Sequence, residues 1–518
     1  MVNLLTVLIA GQLSAVPCEG LRDLSLPNTV ITVARIIPAG SVWQLPGSTP
    51  PPAGIPIATA PASGAPGYYP FERPIIVAAH CRVEAVIRAS PDSEIGIEVW
   101  LPTNNWNGKF LMVGNGGWAG RILTPFGALN EGYATASTDT GHKGQSGAFA
   151  LGHPEKLVDF AHRAVHETAV KAKAIIAAYF GRSPQFSYFD GCSTGGRQAL
   201  MEAQRYPEDF DGIIAAAPAQ NMIHLAAWRF ALEKSVLTNP ARVVSESKLA
   251  LVNRAVLAAC DALDGVVDQF LTDPRQCRYD PSVLLCQAGR TTDCLTASEV
   301  EAVKSAYAPA VTSDGRLVYP GLVPGAEARW TSLTGTGPEP GRLNDLDLFR
   351  YAVHQDPTWD WRLFDLERET ALADERVGFL NATNPDLSAF KARGGKLIIR
   401  HGWNDGGNGG SISPLGSVDY YSSVLTTMGP QQEDWLRLFM QPGVAHCFGG
   451  PGADQVNWLA ALDRWRELGE PPDALVASRV NINNQVDMTR PVCRYPQVPK
   501  YRGVGSTNDA SNFNCQMP

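Results

Sequence analysis

Along the chain, short, mostly apolar runs alternate with longer stretches in which apolar residues recur at intervals of three and four. A short apolar run suits a strand buried on both faces of a sheet, and the three–four recurrence suits a helix with one apolar face. The runs at 95–100, 109–113, 185–190 and 212–216 therefore predict strands, and 156–180 and 197–206 predict helices. From Ala219 to Ser388 the alternation fades into a region rich in Trp, Pro, Gly and Asp. It resumes with a strand at 395–402 that enters a loop, a helix over 418–427, a strand over 435–440 and a helix over 455–468. Strands alternating with helices demand a parallel sheet between helical layers. The stretch 46–67, crowded with Pro, Gly and Ala, cannot pair regularly and reads as a surface loop.

With 518 residues the chain exceeds one compact core, so an inserted or second domain is expected. The fading pattern supplies its limits. Residues 16–218 and 389–518 read as two parts of one α/β domain, and 219–388 as an inserted lid. Apolar residues at 44% against 18% charged place the chain among well-packed globular proteins and exclude general disorder. The 43 basic and 51 acidic residues contain no Lys/Arg run, which excludes nucleic acid as a partner. Ten cysteines are dispersed without a CxxC pair, which argues against a zinc ribbon or a thioredoxin-type site. An even, dispersed set suits disulfides and hence an oxidising compartment. Residues 1–15 resemble a signal peptide: an apolar run at 4–10 precedes small residues around Leu13-Ser14-Ala15, although the positive n-region is missing. A buried first strand is the alternative. No other segment is apolar and long enough to span a membrane, so a soluble, secreted or periplasmic protein is expected.

Gly191-Cys192-Ser193-Thr194-Gly195 fits G-x-S-x-G between a predicted strand and a predicted helix, the setting of a nucleophile elbow. Glycines two before and two after the serine leave room for a tight turn that projects the hydroxyl. A serine nucleophile needs a base, and the base needs a carboxylate to orient it. His446, in a loop after a late strand, is the candidate base, and Asp405 follows a buried strand where the acid belongs in the order Ser, acid, His. His401 at a strand end reads as structural, and Asp454 breaks the chain order. The N–H of Thr194, the residue after the nucleophile, is one candidate oxyanion donor, and the loop Gly114-Asn115-Gly116-Gly117 offers another. Cys192 precedes the serine and Cys447 follows the histidine. If they pair, a disulfide ties the two loops together. A second cluster, Cys260 to Phe270, places Asp261, Asp264 and Asp268 within eight residues around Gly265. With the Val266 and Phe270 carbonyls it suits a hard cation such as calcium.

The Gly-Cys-Ser-Thr-Gly-Gly-Arg stretch, Asp405 in His-Gly-Trp-Asn-Asp, and His446-Cys447 resemble the CS-D-HC arrangement of the tannase/feruloyl esterase family. That family also includes mono(2-hydroxyethyl) terephthalate hydrolases. The likeness extends to Cys18-Glu19-Gly20-Leu21, Leu26-Pro27-Asn28-Thr29, Val113 to Gly117, and Thr138-Asp139-Thr140-Gly141-His142. It implies an α/β-hydrolase fold with a large inserted lid and hydrolysis of small aromatic esters. The expected substrates carry hydroxycinnamoyl or galloyl groups, with the terephthalate monoester as the alternative. It implies Gly117 as the second oxyanion donor, a structural calcium ion on Asp261, Asp264, Val266, Asp268 and Phe270, and no organic cofactor. It also implies the pairs Cys192–Cys447, Cys18–Cys81, Cys260–Cys277, Cys286–Cys294 and Cys493–Cys515. Where family members follow the acid with apolar or Pro-containing text, this chain has Gly406-Gly407-Asn408-Gly409-Gly410, so the substrate wall there differs. A binding protein on the same scaffold is the competing class, disfavoured by the intact Ser, Asp and His. Trp330, Arg350, Trp359 and Trp361 are candidate substrate contacts.

Overall fold

The computed structural model describes residues 15–43, 58–59, 75–123, 126–289, 292–335, 339, 345–406, 412–481, 483 and 485–518. The signal-like segment 1–15, Ala15 apart, lies outside these residues. So do Gly407 to Gly410 and most of the 46–67 loop, of which Ala58–Thr59 is described as a short strand.

Among the described residues nine strands form the central sheet: β1 (Thr29–Ile37), β2 (His80–Ile87), β3 (Ile95–Pro102), β4 (Lys109–Val113), β5 (Ala134–Thr138), β6 (Phe186–Cys192), β7 (Gly212–Ala216), β8 (Lys396–Gly402) and β9 (Leu436–Gln441). Their order is β1-β2-β3-β5-β4-β6-β7-β8-β9. Pairing is antiparallel from β1 through β3 to β5, and parallel from β5 onward. The parallel strands are buried nearly throughout, as their largely apolar sequences require.

Register sets the site. Cys192 at the end of β6 lies beside Ala216 of β7, Ala216 lies beside Arg400 of β8, and Gly402 lies beside Gln441 of β9. The loops that carry Ser193, Asp405 and His446 therefore leave the same carboxyl edge, where open α/β sheets place their ligands.

Helices α1 (Ala164–Phe180) and α2 (Thr194–Arg205) cover the sheet. The helix expected over 156–180 is interrupted. A short helix, Pro154–Val158, passes into a wider π turn at Asp159–Arg163 before α1 begins. The buried Asp159 carboxylate accepts from Ser93 at 2.7 Å and from Arg163, and Arg197 of α2 reaches the carbonyls of Phe160 and Ala161. These partners stabilise the distortion.

Between β7 and β8 the chain leaves the sheet and builds α3 (Met222–Leu237), α4 (Glu246–Cys260), α5 (Ala297–Tyr307) and α6 (Leu366–Val377). One apolar centre of this insertion lies around Trp228, Val252, Val303 and Trp330, and another, around Phe230, Phe349, Trp359 and Phe364, is shared with Trp118, Leu157 and Phe160 of the α/β domain. Helices α7 (Pro414–Met428) and α8 (Trp458–Leu468) return to the sheet.

Candidate active site

Ser193 sits between β6 and α2 with φ 67° and ψ −122°, a backbone conformation strained for a residue with a Cβ. Hydrogen bonds hold it there: its N–H donates to Ala216, and its carbonyl accepts from Arg197 and Ala219. The turn closes only without side chains on either side. A Cβ on Gly191 would stand 2.3 Å from the Gly195 carbonyl oxygen, and one on Gly195 would stand 2.9 Å from that of Asn115.

The loop after β4 packs on this turn. Thr194 Oγ1 donates to the Gly117 carbonyl at 3.0 Å, joining the two segments expected to supply oxyanion donors. Asn115, buried beneath, fixes the loop. Its N–H donates to Gln198 Oε1 at 2.9 Å, and its side-chain amide donates to the carbonyls of Arg121 at 2.8 Å and Thr138 at 2.9 Å.

His446 Nδ1 lies 2.6 Å from Asp405 Oδ2, and Asp405 has no exposed side-chain surface. Burial alone would raise the Asp405 carboxyl. The neighbouring His446, with hydrogen bonds from His401 and His446, outweighs it and holds the carboxyl down at about 2. Asp454 plays a different part: its Oδ2 accepts the Gly449 N–H at 2.7 Å and secures the loop that carries His446. His401 also reaches Asp405, a contact that sequence position alone does not reveal.

Five disulfides join Cys18–Cys81, Cys192–Cys447, Cys260–Cys277, Cys286–Cys294 and Cys493–Cys515. Both sulfurs of Cys192–Cys447 and a ring nitrogen of His446 lie within 4.8 Å of one another. The sulfurs are bonded to each other, so the cluster offers no thiolate to a metal.

In the aspartate loop, Asp261 accepts from the N–H groups of Asp268 and Gln269, and Asp264 accepts from Val266. Asp268 Oδ2 pairs with Arg490 at 2.5 Å, while its buried Oδ1 has no hydrogen-bond partner. Among the described residues these three carboxylates are not gathered to within 4.8 Å of one another.

A pocket at Ser193 is lined by Gly117, Trp118 and Thr194 from the sheet side and by Met222, Leu225 and Leu348 from the insertion. It also contains a charge pair that composition gave no means of locating: Arg229 and Asp345, both buried, joined through Arg229 Nε at 2.9 Å and Nη2. The aromatic candidates lie elsewhere. Trp330, Trp359 and Trp361 are buried in these two apolar centres, and Arg350 pairs with Glu339.

Strand order, elbow and Asp–His pair together define an α/β-hydrolase. The family model for tannase and feruloyl esterase matches residues 81–516. An uncharacterized esterase of Xanthomonas campestris is 35% identical, with 98% of this chain and 92% of that protein covered. A probable feruloyl esterase B-2 of Aspergillus oryzae is 33% identical over 96% of this chain and 95% of its own length. The crystal structure of feruloyl esterase B from Aspergillus oryzae superposes with TM-score 0.84 at 30% identity, covering 96% of this chain and 99% of that one. The chain belongs to the tannase and feruloyl esterase family and is a carboxylic-ester hydrolase of that type.

Proposed function

We propose that this enzyme is exported and cleaves esters of aromatic hydroxy acids, hydroxycinnamoyl or galloyl, through an acyl-enzyme on Ser193. The observation that carries the reading is the 2.6 Å pair of His446 and Asp405 on the same sheet edge as the strained Ser193. In this mechanism His446 removes the Ser193 proton as the hydroxyl attacks the ester carbonyl. The N–H groups of Thr194 and Gly117 receive the oxyanion. Collapse expels the alcohol, which takes its proton from His446. A water activated by the same ring then releases the acid. Asp405 stays ionised throughout and stabilises the imidazolium.

The insertion serves as a lid over the acyl group. Its apolar lining suits an aromatic ring, and the buried Arg229–Asp345 pair supplies polar partners for hydroxyl groups on that ring. A panel of methyl ferulate, methyl gallate and mono(2-hydroxyethyl) terephthalate tests the substrate class. One of the two hydroxy-acid esters is expected to have the highest kcat/KM. Preference for the terephthalate monoester would shift the reading to that chemistry. A p-nitrophenyl acetate burst of about one equivalent per enzyme is expected of the acyl-enzyme route.

The aspartate loop fits a calcium ion in the chemistry of its donors: three carboxylates, two carbonyls, and a buried Asp268 oxygen without a partner. Asp261, Asp264 and Asp268, with the Val266 and Phe270 carbonyls, would hold it. Bound there, the ion would neutralise the loop's acidic charge and brace the insertion, with no part in the reaction. Chelation is expected to lower the melting temperature, since a ligand bound only by the folded state stabilises it. An unchanged melting curve for metal-free protein removes calcium from the account. Export accords with five disulfides.

A further inference from the structure

Asp405 receives two histidines, and the mechanism above uses one. Its Oδ2 lies 2.6 Å from His446 Nδ1 and 3.1 Å from His401 Nε2, and its Oδ1 accepts the Ile412 N–H at 3.3 Å. His401, the second-last residue of β8, has a fully buried side chain. Its other nitrogen, Nδ1, lies 2.7 Å from the hydroxyl of Ser417, which is buried in the first turn of α7.

The partners dictate where the protons sit. A carboxylate only accepts, so His401 Nε2 must donate to Asp405. Burial lowers the His401 pKa against the pull of Asp405, so the ring is neutral and its Nδ1 carries a lone pair. The Ser417 hydroxyl therefore donates to Nδ1. The result is one directed chain: Ser417 to His401, His401 to Asp405, with His446 donating to Asp405 from the other side.

We infer that His401 and Ser417 are positioning residues for the catalytic acid, orienting the Asp405 carboxylate and tuning how strongly it pairs with His446. This rests on the assignment of Ser193, Asp405 and His446 as the reacting set. A carboxylate held by one donor can turn about its Cβ–Cγ bond. Three donors on two oxygens fix its plane, and the ring donor opposite His446 withdraws charge from the shared oxygen. A histidine that only filled space would need no hydroxyl to fix its tautomer. Other titratable or charged groups near the pair are Arg400, which donates to the Cys447 carbonyl at 3.1 Å, Asp454 on the Gly449 N–H, and Tyr319, whose buried hydroxyl senses the Asp405 charge. They are unchanged in the variants below.

The test is the pH dependence of kcat and kcat/KM for His401→Phe, His401→Gln and Ser417→Ala, with Ser193→Ala alongside. His401→Phe keeps the volume but not the donor. Its kcat should fall roughly ten- to hundredfold with KM little changed, as expected for a misplaced catalytic group. The acidic limb of kcat/KM, which reports the free enzyme's base, should move to higher pH, because a less stabilised carboxylate pairs more strongly with His446. His401→Gln, whose amide can donate to Asp405 and accept from Ser417, should recover most of the rate and the original limb. Ser417→Ala leaves the ring in place but frees its tautomer, and should lose rate severalfold with the limb moving the same way. The inference is overturned if His401→Phe matches wild type, if the Phe and Gln variants are equally impaired, or if Ser417→Ala behaves as wild type. Should the Phe variant fail to fold, Ser417→Ala decides alone. Turnover surviving in Ser193→Ala is a separate outcome: it sinks the assignment of the nucleophile and leaves the proton chain to be judged on other grounds.

Discussion

Burial would raise the Asp405 carboxyl, yet it is held at about 2, below the ordinary 3.8, because the neighbouring His446 charge and the hydrogen bonds from His401 and His446 outweigh it. A folded-state value below the unfolded one contributes stability that is complete above the unfolded value and vanishes as pH falls through the folded one. Asp405→Asn should therefore destabilise most at neutral pH, and its deficit should shrink as the pH falls from 3.8 towards 2. Urea midpoints at stepped pH measure this, and a deficit that stays constant across that window would show that the ionised carboxylate is not the stabilising species. Its rate should also fall steeply, since the amide no longer favours the required tautomer of His446. At this scale the sequence is informative where chemistry restricts residue type, as at Ser193, Asp405 and His446. It is silent on side-chain reach. His401 reads as structural from its place at a strand end, and only the folded register shows its ring on the catalytic carboxylate. Likewise Arg229 and Asp345 are ordinary residues in two separate helices until the fold sets them together beside Ser193.

Elements buried on both faces are the ones a hydrophobic pattern delimits well. The strands expected at 109–113 and 212–216 are observed as Lys109–Val113 and Gly212–Ala216, because every buried side chain in them is apolar or absent and only the half-buried Lys109 at a strand end is charged. Edge strands carry a weaker signature. β1 exposes Val30 and Ile36 while burying Ile31 and Ala34, so neither a continuous run nor a clean alternation marks it. Periodicity also conceals the π turn before α1, since one extra residue per turn barely disturbs a three–four pattern. Its partner is Arg197, four residues after the nucleophile. This fully buried guanidinium donates to the carbonyls of Ala161 at 2.8 Å, Phe160 at 3.1 Å and Leu380 at 3.1 Å. The elbow helix, the π turn and the end of the insertion are thereby joined at one side chain, which in the sequence is only the last residue of a Gly-rich motif.

The whole molecule must hold a nucleophile and a base that are far apart in the chain, with the insertion's residues entering between them. Cys192–Cys447 spans a sequence separation of 255, and its two residues are the immediate neighbours of Ser193 and His446. Closing so long a loop restricts the unfolded chain, and the entropy model assigns about 5 kcal/mol to such a bridge. That term acts on overall stability, whereas the position of the bridge acts on geometry. Cys447 has φ 66°, so the backbone directly after His446 is held in a conformation that a cysteine seldom adopts unaided. Parallel pairing of β6, β7, β8 and β9 brings the loops to one edge, but it leaves the final placement of the side chains to the loops themselves. The disulfide removes that freedom where displacement of the base by about 1 Å costs on the order of a hundredfold in rate. The Cys192→Ala, Cys447→Ala double variant should therefore lose most of its kcat at temperatures where its far-ultraviolet circular dichroism still matches wild type. Its KM should change less, because the pocket walls at Met222, Leu225 and Leu348 come from the insertion rather than from either bridged loop. Parallel loss of activity and secondary structure on warming would instead make the bridge a contributor to global stability alone.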